Sequence, residues 1–220
     1  MTPMDHPPYQ TLPDTLPEDP LPLFASWFAE ATSGKMTINP NAFVLATTND
    51  RNEPVVRTVL CKHLNAETGY LVFHTNYKSD KGRQLAKRRR AAAVFYWDWL
   101  GRQVRLAGAV LPSPKAESDA YFASRDRDSR IGAWASEQSK PVDSRDEMLA
   151  KFAATRERFG ADGDVPRPPH WGGFRFWFDM VELWVAGEHR VHDRARWTRA
   201  IQGHQDHFHG GPWLGTRLQP

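Results

Sequence analysis

The order of strand and helix patterns along the chain is the feature that most restricts its fold. Short apolar stretches typical of strands come first, at 42–48, 55–62, 70–75, 93–97 and 102–111. Strand patterns return near the C-terminus, at 173–178, 181–184 and 194–201, before a last strand that ends at Leu218. Because these strands do not alternate regularly with helices, a doubly wound sheet is disfavoured. The pattern predicts a mainly β fold with added helices, built as an antiparallel barrel.

Capping signals place the helices around these strands. Ser113 is a helix N-cap residue type, and Pro114 suits the first helical position after it. Ser144 and Glu147 have the spacing of a capping box. Pro20 likewise suits the first turn of a helix that begins near residue 19. Helices are therefore predicted from about residue 19 onwards and at 79–90, 114–124, 128–135 and 144–159, with a loop at 202–212.

The density of proline sets the N-terminal boundary of the folded part. The first 22 residues hold seven of the 17 prolines. Each proline fixes φ and removes a backbone donor, so regular structure is not expected there. Residues 1–18 are therefore predicted to be a flexible arm, and residues 19–220 a single domain of ordinary size.

Composition excludes several classes of function. With 29 Lys+Arg against 26 Asp+Glu, the net charge of +3 argues against a dedicated nucleic-acid-binding protein. The basic run at 87–90 is expected to be a cation cluster at a helix C-terminus. No apolar run is long enough to span a membrane, and we expect no secretion signal. The single cysteine, Cys61, excludes an internal disulfide framework and fits a reducing compartment, so we expect a cytoplasmic location.

The common signatures of several enzyme classes are absent from the sequence. It has no GxGxxG after a strand, no Walker loop, no HExxH and no GxSxG. His204, His207 and His209 lie around Asp206 with irregular spacing, and we expect a solvated loop there and no metal site. Cys61 falls in the middle of a strand and is expected to be a small buried apolar residue.

Six basic side chains at strand and turn positions leave two interpretations open. They could be solvated surface charges, which is the usual state of these residue types. They could also bind an anion, since the arginine guanidinium matches the geometry of a phosphate group. Composition does not separate these interpretations for Arg57, Lys62, Lys81, Arg125, Arg190 and Arg194.

Eight short segments carry a more specific signal through their order and spacing. The two most specific are 168–173 (PPHWGG) and 187–194 (GEHRVHDR). The other six are 57–62 (RTVLCK), 74–76 (HTN), 101–104 (GRQV), 118–125 (SDAYFASR), 129–139 (SRIGAWASEQS) and 217–220 (RLQP). Together they resemble the pyridoxine/pyridoxamine 5′-phosphate oxidases, a family of FMN enzymes, from about residue 19 to residue 220.

The resemblance implies a fold and a reaction. The fold is an FMN-binding split β-barrel that works as a homodimer, with two FMN molecules at the subunit interface. The reaction is the oxidation of pyridoxamine 5′-phosphate and pyridoxine 5′-phosphate to pyridoxal 5′-phosphate, in vitamin B6 biosynthesis and salvage. A hydride would pass to the flavin, and oxygen would reoxidise the flavin to give hydrogen peroxide.

The resemblance also assigns roles to individual residues. Arg190 and His192 are implied to be catalytic, covering the ring of the substrate at the flavin. FMN contacts are implied for Arg57, Thr58, Val59, Leu60, Cys61, Lys62, His74, Thr75, Lys81, Gln103, Gln138, Ser139, Trp184 and Arg194. Substrate contacts are implied for Lys62, Tyr121, Arg125, Ser129, Arg190 and His192, and no metal is implied.

The sequence departs from the family pattern in four places. His74 stands where the family often has tyrosine, and Asp80 stands where it often has a basic residue close to the FMN phosphate. We therefore expect an altered but not abolished affinity for FMN. The N-terminal arm lacks an Arg- and Tyr-containing stretch found in some members, with only Tyr9 in its place, and the segment 200–215 is longer than usual.

Two other functions stay open at the level of the sequence. One is a related split-barrel flavoprotein that oxidises another ring substrate, as in the phenazine pathway. The other is a non-catalytic protein that binds flavin or pyridoxal phosphate. The segments 171–173 and 190–192 look like the vitamin enzyme, which argues against the phenazine-type oxidase. The pair Arg190 and His192 argues against a pure binder, which would not need both residues beside the flavin.

Overall fold

The computed structural model describes residues 11–34, 36–204 and 207–220. Its helices are α1 (Leu21–Ser33), α2 (Asp80–Arg88), α3 (Lys115–Ala123), α4 (Arg127–Ala135) and α5 (Arg145–Phe159). Its strands are β1 (Ala42–Thr48), β2 (Pro54–Leu60), β3 (His63–Asn65), β4 (Tyr70–Asn76), β5 (Arg90–Trp97), β6 (Arg102–Pro112), β7 (Trp171–Val185), β8 (Asp193–Thr198), β9 (Ile201–His204), β10 (His207–Gly210) and β11 (Leu214–Leu218). The predicted strand–helix–strand order is confirmed.

The long strand β7 closes the sheet into a barrel. One edge of β7 pairs with β6, from which the antiparallel ladder continues through β5 and β1 to β2. The chain leaves β2, enters β3, and β3 pairs with β4. The N-terminal half of β7 then pairs with β4, which completes the ring. The fold is a mainly antiparallel split β-barrel with added helices, as predicted.

A β-bulge lets β7 change partners on its other edge. Residues 171–177 of β7 pair with β4, whereas residues 180–185 pair with β8, which carries β11 beyond it. The register against β6 shifts at Gly108, so Asp179 has no partner in that ladder. Two separate strands were predicted at 173–178 and 181–184. This prediction was wrong, because the polar interruption at Asp179 is a bulge inside one strand.

Alternating side chains of the strands fill the barrel. Phe43, Phe95 and Leu106 are fully buried, as period-2 strands with one inner face require. Helix α1 covers one end of the barrel, where the ring of its Phe24 lies 5.8 Å from that of Phe95. Cys61 is buried in the same core, which confirms that it behaves as a small apolar residue.

Residues 11–18 pack against the barrel although they form no helix or strand. Leu12 is buried, and its backbone N–H donates to the Asp193 carboxylate over 2.8 Å. The Trp197 indole N–H donates to the Pro17 carbonyl, also over 2.8 Å. The flexible arm was predicted to extend to residue 18, but its last part is held in place, because prolines prevent regular structure without preventing packing. Residues 1–10 lie outside the described residues.

A hairpin replaces the loop predicted at 202–212. Strands β9 and β10 pair with each other, and Phe208 and Ile201 pack against Trp177. The loop prediction missed this hairpin because its apolar residues are few and widely spaced. Asp206, in the histidine-rich segment, lies outside the described residues. Among the residues that the structure does describe, no helix is long and apolar enough to cross a membrane.

The basic run at 87–90 lies where it was predicted. Lys87 and Arg88 form the last turn of α2, next to the negative end of the helix dipole. Arg90 begins β5, and its guanidinium lies 2.8 Å from the carboxylate of Asp179 in the bulge. The run therefore connects the end of α2 to the barrel.

We predict that Gly108→Ala lowers the free energy of unfolding by about 3 kcal/mol. A Cβ atom at this position would lie 1.8 Å from the carbonyl oxygen of Trp177, so the bulge would have to open. Urea denaturation of the apoprotein at fixed concentration measures the change. Gly34→Ala is the control, since its Cβ would meet nothing closer than 3.5 Å. Equal losses in both variants would contradict the prediction.

Candidate cofactor and substrate site

A cavity of about 640 Å³ opens between the barrel and the helices α3 and α4. Strands β2 and β4 form its barrel side, and the first residue of β7 closes one wall. Most of the cofactor and substrate residues predicted on these elements meet here. The lining residues are Thr58, Val59, Leu60, Lys62, His74, Thr75, Asn76, Lys81, Tyr121, Ser124, Arg125, Asp126, Ser129, Gln138 and Trp171.

One end of the cavity is built around the first turn of α2. The Lys81 ammonium donates to the Gln138 side-chain carbonyl over 2.8 Å and to the Thr75 hydroxyl over 3.2 Å. The Ser139 hydroxyl accepts the backbone N–H of Asp80 over 3.2 Å. Four residues predicted from separate segments, Thr75, Lys81, Gln138 and Ser139, therefore form one group at the N-terminus of a helix, a position that favours anions.

Arg57 adds a second cation beside Lys81. Its guanidinium donates to the Gln84 side-chain carbonyl over 3.1 Å and to the Thr47 hydroxyl. Burial lowers the pKa of Lys81, and the nearby charge of Arg57 lowers it further. Burial also lowers the pKa of Arg57. Among the described residues, neither cation forms a salt bridge, so the pair fits a phosphate dianion that restores the lost solvation.

Asp80, next to this pair of cations, is itself paired with a neighbouring side chain. Its carboxylate pairs with the Arg83 guanidinium over 2.5 Å, one turn further along α2. The negative charge of Asp80 nevertheless opposes the effects that lower the pKa of Arg57 and Lys81. The departure from the family pattern therefore reduces the positive potential at this end of the cavity.

Aromatic rings pack around His74 in the middle of the cavity. The His74 ring stacks on Tyr121 at 4.0 Å between centroids and on Trp171 at 5.2 Å. The register of β4 against β7 places His74 opposite Gly173. A Cβ atom at Gly173 would lie 3.1 Å from the His74 ring and 2.7 Å from the Ser113 hydroxyl. The lack of a side chain at Gly173 therefore allows β7 to approach His74 closely.

His74 is neutral at physiological pH and has free hydrogen-bonding capacity. Both of its ring nitrogens are buried, and neither has a hydrogen-bond partner among the residues that the structure describes. Burial lowers the pKa of His74 to about 4, helped by the charges of Arg125 and Lys62. A neutral imidazole offers one donor and one acceptor. Since buried polar atoms are normally paired, this ring is suited to a polar ligand in the cavity.

The opposite end of the cavity has its own cations. The Arg125 guanidinium lies over the Trp171 ring at 4.8 Å, and the Lys62 ammonium lies 5.9 Å from the Tyr121 ring. One terminal nitrogen of Arg125 is buried with no hydrogen-bond partner in the described part of the chain, and burial lowers the pKa of this guanidinium. Ser129 lies in the first turn of α4 nearby. This end also suits an anionic group, so the cavity fits FMN and a second phosphorylated ligand.

The other predicted residues lie elsewhere on the chain. Trp184 lies at the centre of a second group of predicted site residues on β6, β7 and β8. Its ring lies 4.7 Å from that of His192, whose Nδ1 accepts the backbone N–H of Gly187. Arg190 is exposed, in a turn with left-handed backbone. None of the cavity-lining residues belongs to this second group, which is Gln103, Trp184, Arg190, His192 and Arg194.

The two groups lie on one outer face of the barrel. A cross-strand row runs from Thr58 through β1, β5 and β6 to Glu182. Four strand spacings separate its ends, about 19 Å across the sheet. Outward-facing Val44, Val56 and Tyr96 between the groups are exposed in the single chain. One chain therefore carries two groups of predicted site residues, called the two half-sites below, and its own fold keeps them apart.

The structure corrects and extends the predicted residue set. Cys61 was predicted to contact FMN, but its side chain packs into the core, and burial raises its pKa to about 12. Its backbone N–H and carbonyl both bond to Asn41. Leu60 and Lys62, the residues on either side of Cys61, line the cavity instead. Cavity-lining residues that were not predicted are Asn76, Ser124, Asp126 and Trp171, of which Trp171 adjoins the glycines of the most specific motif.

Sequence comparisons match almost the whole chain. The family described as "Pyridoxamine 5'-phosphate oxidase" matches residues 35–159, and the region described as "Pyridoxine 5'-phosphate oxidase C-terminal dimerisation region" matches residues 171–220. A pyridoxine/pyridoxamine 5′-phosphate oxidase of Burkholderia lata is 46% identical over 202 residues, covering 92% of this chain and 89% of the relative. One of Rhodopseudomonas palustris is 44% identical and covers 100% of this chain and 98% of the relative.

Solved structures share the fold. PhzG from Burkholderia lata, in complex with tetrahydrophenazine-1-carboxylic acid, has a TM-score of 0.80 and 27% identity, covering 96% of this chain and 100% of that one. A pyridoxamine 5′-phosphate oxidase-related, FMN-binding protein from Nostoc punctiforme has a TM-score of 0.68 at 16% identity, covering 90% and 96%. The similarity to the Nostoc punctiforme protein shows a shared fold and nothing more.

We predict that His74 makes the apoprotein less stable as the pH falls from 6.5 to 4. The unfolded chain takes up a proton at the ordinary pKa of 6.5, whereas the folded chain stays neutral down to about 4. Folding stability is therefore lost on acidification in this window, by at most about 3 kcal/mol. Urea midpoints measured against pH should fall less steeply for His74→Gln. Parallel profiles for the two proteins would contradict the prediction.

Proposed function

Because the chain belongs to the pyridoxamine 5′-phosphate oxidase family of FMN-binding split-barrel proteins, we propose that it oxidises pyridoxamine and pyridoxine 5′-phosphates to pyridoxal 5′-phosphate. The observation that carries the proposal is the cavity with cations at each end: Lys81, with Arg57 close by, at one end, and Lys62 with Arg125 at the other. Two phosphorylated ligands, the cofactor and the substrate, need two such groups.

The residues of this chain bind, orient and desolvate the ligands. Arg57 and Lys81 hold the FMN phosphate, assisted by the N-terminus of α2. Lys62 and Arg125 hold the phosphate of the substrate, with hydroxyl donors from Tyr121 and Ser129. The chemistry that bound FMN supplies is acceptance of a hydride from the side-arm carbon of the substrate, followed by reoxidation with oxygen to give hydrogen peroxide.

The two half-sites support a homodimer with shared sites. In a symmetric dimer, a two-fold axis through one outer face brings each half-site opposite the other half-site of the partner. The exposed Val44, Val56 and Tyr96 between them would be covered in the same contact. The second half-site also lies mostly in the segment that matches the dimerisation region of the family. Arg190 and His192 then orient the substrate ring in the cavity of the partner subunit.

A second candidate substrate is a ring system of the phenazine type. The observation that favours it is the similarity to PhzG, whose solved complex contains tetrahydrophenazine-1-carboxylic acid. A carboxylate would also bind to Lys62 and Arg125, and the stacked rings around His74 accept any planar ligand. The curated relatives at 44–46% identity, which are named as pyridoxine/pyridoxamine 5′-phosphate oxidases, favour the vitamin substrate.

We expect pyridoxamine 5′-phosphate to bleach the flavin absorbance of the FMN-loaded, desalted protein when oxygen is excluded. Admitting oxygen should restore the absorbance and release hydrogen peroxide. Pyridoxamine without its phosphate is the control and should react far more slowly, because it lacks the group that Lys62 and Arg125 bind. A retained flavin that is bleached only by a reduced phenazine carboxylate would establish the second candidate. A flavin that neither compound bleaches would point to a binding protein.

We predict that mixed dimers restore activity to two inactive variants. Arg125→Ala damages the cavity half-site, and the double variant R190A/H192A damages the other half-site. A heterodimer with one subunit of each, isolated through two affinity tags, contains one intact site and should show about half of the wild-type activity. The matched control is a heterodimer of Arg125→Ala and Lys62→Ala, in which both sites are damaged. Equal inactivity of the two heterodimers would show that the sites are not shared.

A further inference from the structure

Glu182 is a buried carboxylate outside both predicted half-sites. It lies on the outward face of β7, where alternate residues would be exposed, yet only 1% of its side chain is accessible. Three arginine side chains cover it. The Arg194 guanidinium donates over 2.8 Å, Arg196 donates through two nitrogens over 3.0 and 2.9 Å, and Arg105 approaches both carboxylate oxygens at 3.2 Å.

The pairing of strands produces this cluster directly. Glu182 lies opposite Arg105 on β6 and opposite Arg196 on β8. Arg194 is opposite Trp184, two residues further along β7, and reaches back to the carboxylate. The cluster therefore adjoins the half-site formed by Gln103, Trp184 and Arg194.

The positive charges of the three arginines make the Glu182 carboxylate necessary for this arrangement. Three guanidinium groups within reach of one another repel, and one carboxylate between them offsets that repulsion. Burial raises the pKa of Glu182, but hydrogen bonds from Arg194 and Arg196 and the charge of Arg105 lower it more, so the carboxylate is ionised. Removing it would leave three cations competing for solvent, free to take other rotamers.

The hydrogen bonds of Arg194 run to two different parts of the chain. One terminal nitrogen of Arg194 is held by Glu182, and the other donates to the Gln219 carbonyl near the C-terminus over 3.0 Å. The guanidinium plane is thus held from two sides. Arg105, by contrast, is nearly half exposed, and its guanidinium approaches Glu182 at 3.2 Å.

We propose that Glu182 is the positioning residue of the second half-site, which orients the Arg194 guanidinium towards the FMN bound in the partner's cavity. This inference rests on the proposed function, in which Arg194 contacts FMN. Glu182 acts only through Arg194 and does not touch the cofactor. Its carboxylate also lowers the net positive charge of the cluster. The three arginines then repel one another less, so that the Arg194 guanidinium presents a fixed geometry to the flavin.

A double-mutant cycle tests the proposal through FMN affinity, measured by the quenching of FMN fluorescence on titration with apoprotein. We expect Glu182→Gln to weaken FMN binding about tenfold, because the amide loses the charge and one acceptor oxygen. In the Arg194→Ala background the same substitution should change FMN affinity by less than about twofold, since the group it positions is gone. A merely structural role would give equal losses in both backgrounds, which would overturn the proposal.

Matched variants separate the possible failures. Asp179→Asn removes another carboxylate of β7, which pairs with Arg90 of β5, and should leave FMN affinity unchanged. If Glu182→Gln does not fold, as judged by the melting of its apoprotein, Glu182→Asp replaces it in the cycle, because it keeps the charge and shortens the reach. If Arg194→Ala binds FMN as tightly as wild type, the proposed role of Arg194 fails and this inference fails with it. If Arg194→Ala weakens binding but Glu182→Gln does not, only this inference fails.

Discussion

The change of partner along β7 is the constraint on which the rest of the structure depends. One strand of 15 residues pairs with β6 on one edge and with β4 and then β8 on the other. The first pairing closes the barrel and brings His74 against Trp171. The second carries Trp184 and Arg194 to the far side of the same outer face. Strand β7, with its bulge at Asp179 opposite Gly108 of β6, therefore contributes to the position of both half-sites.

Electrostatics explain why the cavity is suited to binding and adds little to stability. Arg57, Lys81 and Arg125 are partly desolvated, and none of them forms a salt bridge among the described residues. Such cations cost folding free energy until an anion offsets their lost solvation. The second half-site has the reverse arrangement, because Glu182 already compensates its arginines. The cavity half-site gains its compensating negative charge from a bound anion. In the second half-site Glu182 already supplies that charge and holds Arg194 in a fixed orientation.

Local sequence signals predicted most helices and strands, and their failures have physical causes. The capping box at Ser144 correctly placed the start of α5, since a cap is decided by a few neighbouring residues. Helix α3 begins one residue later than predicted, with Pro114 and not Ser113 as its N-cap residue. The break at Asp179 was interpreted as the end of a strand, because a bulge leaves the same polar interruption as a turn. Residues 11–18 were assigned as flexible, because the contacts of Leu12 with β8 join positions about 180 residues apart.

The sequence by itself determined the family, the strand–helix–strand order and the residue types that suit FMN and a phosphate. It also brought Thr75, Lys81, Gln138 and Ser139 into one predicted set, which the structure places together at the start of α2. Only the tertiary structure decided that the predicted residues divide into two groups on different strands of the barrel. It also showed that Cys61 faces the core and that Glu182 is buried under arginines. These features depend on strand register and on which face of a strand is covered, and both are set by pairings between residues distant in the chain.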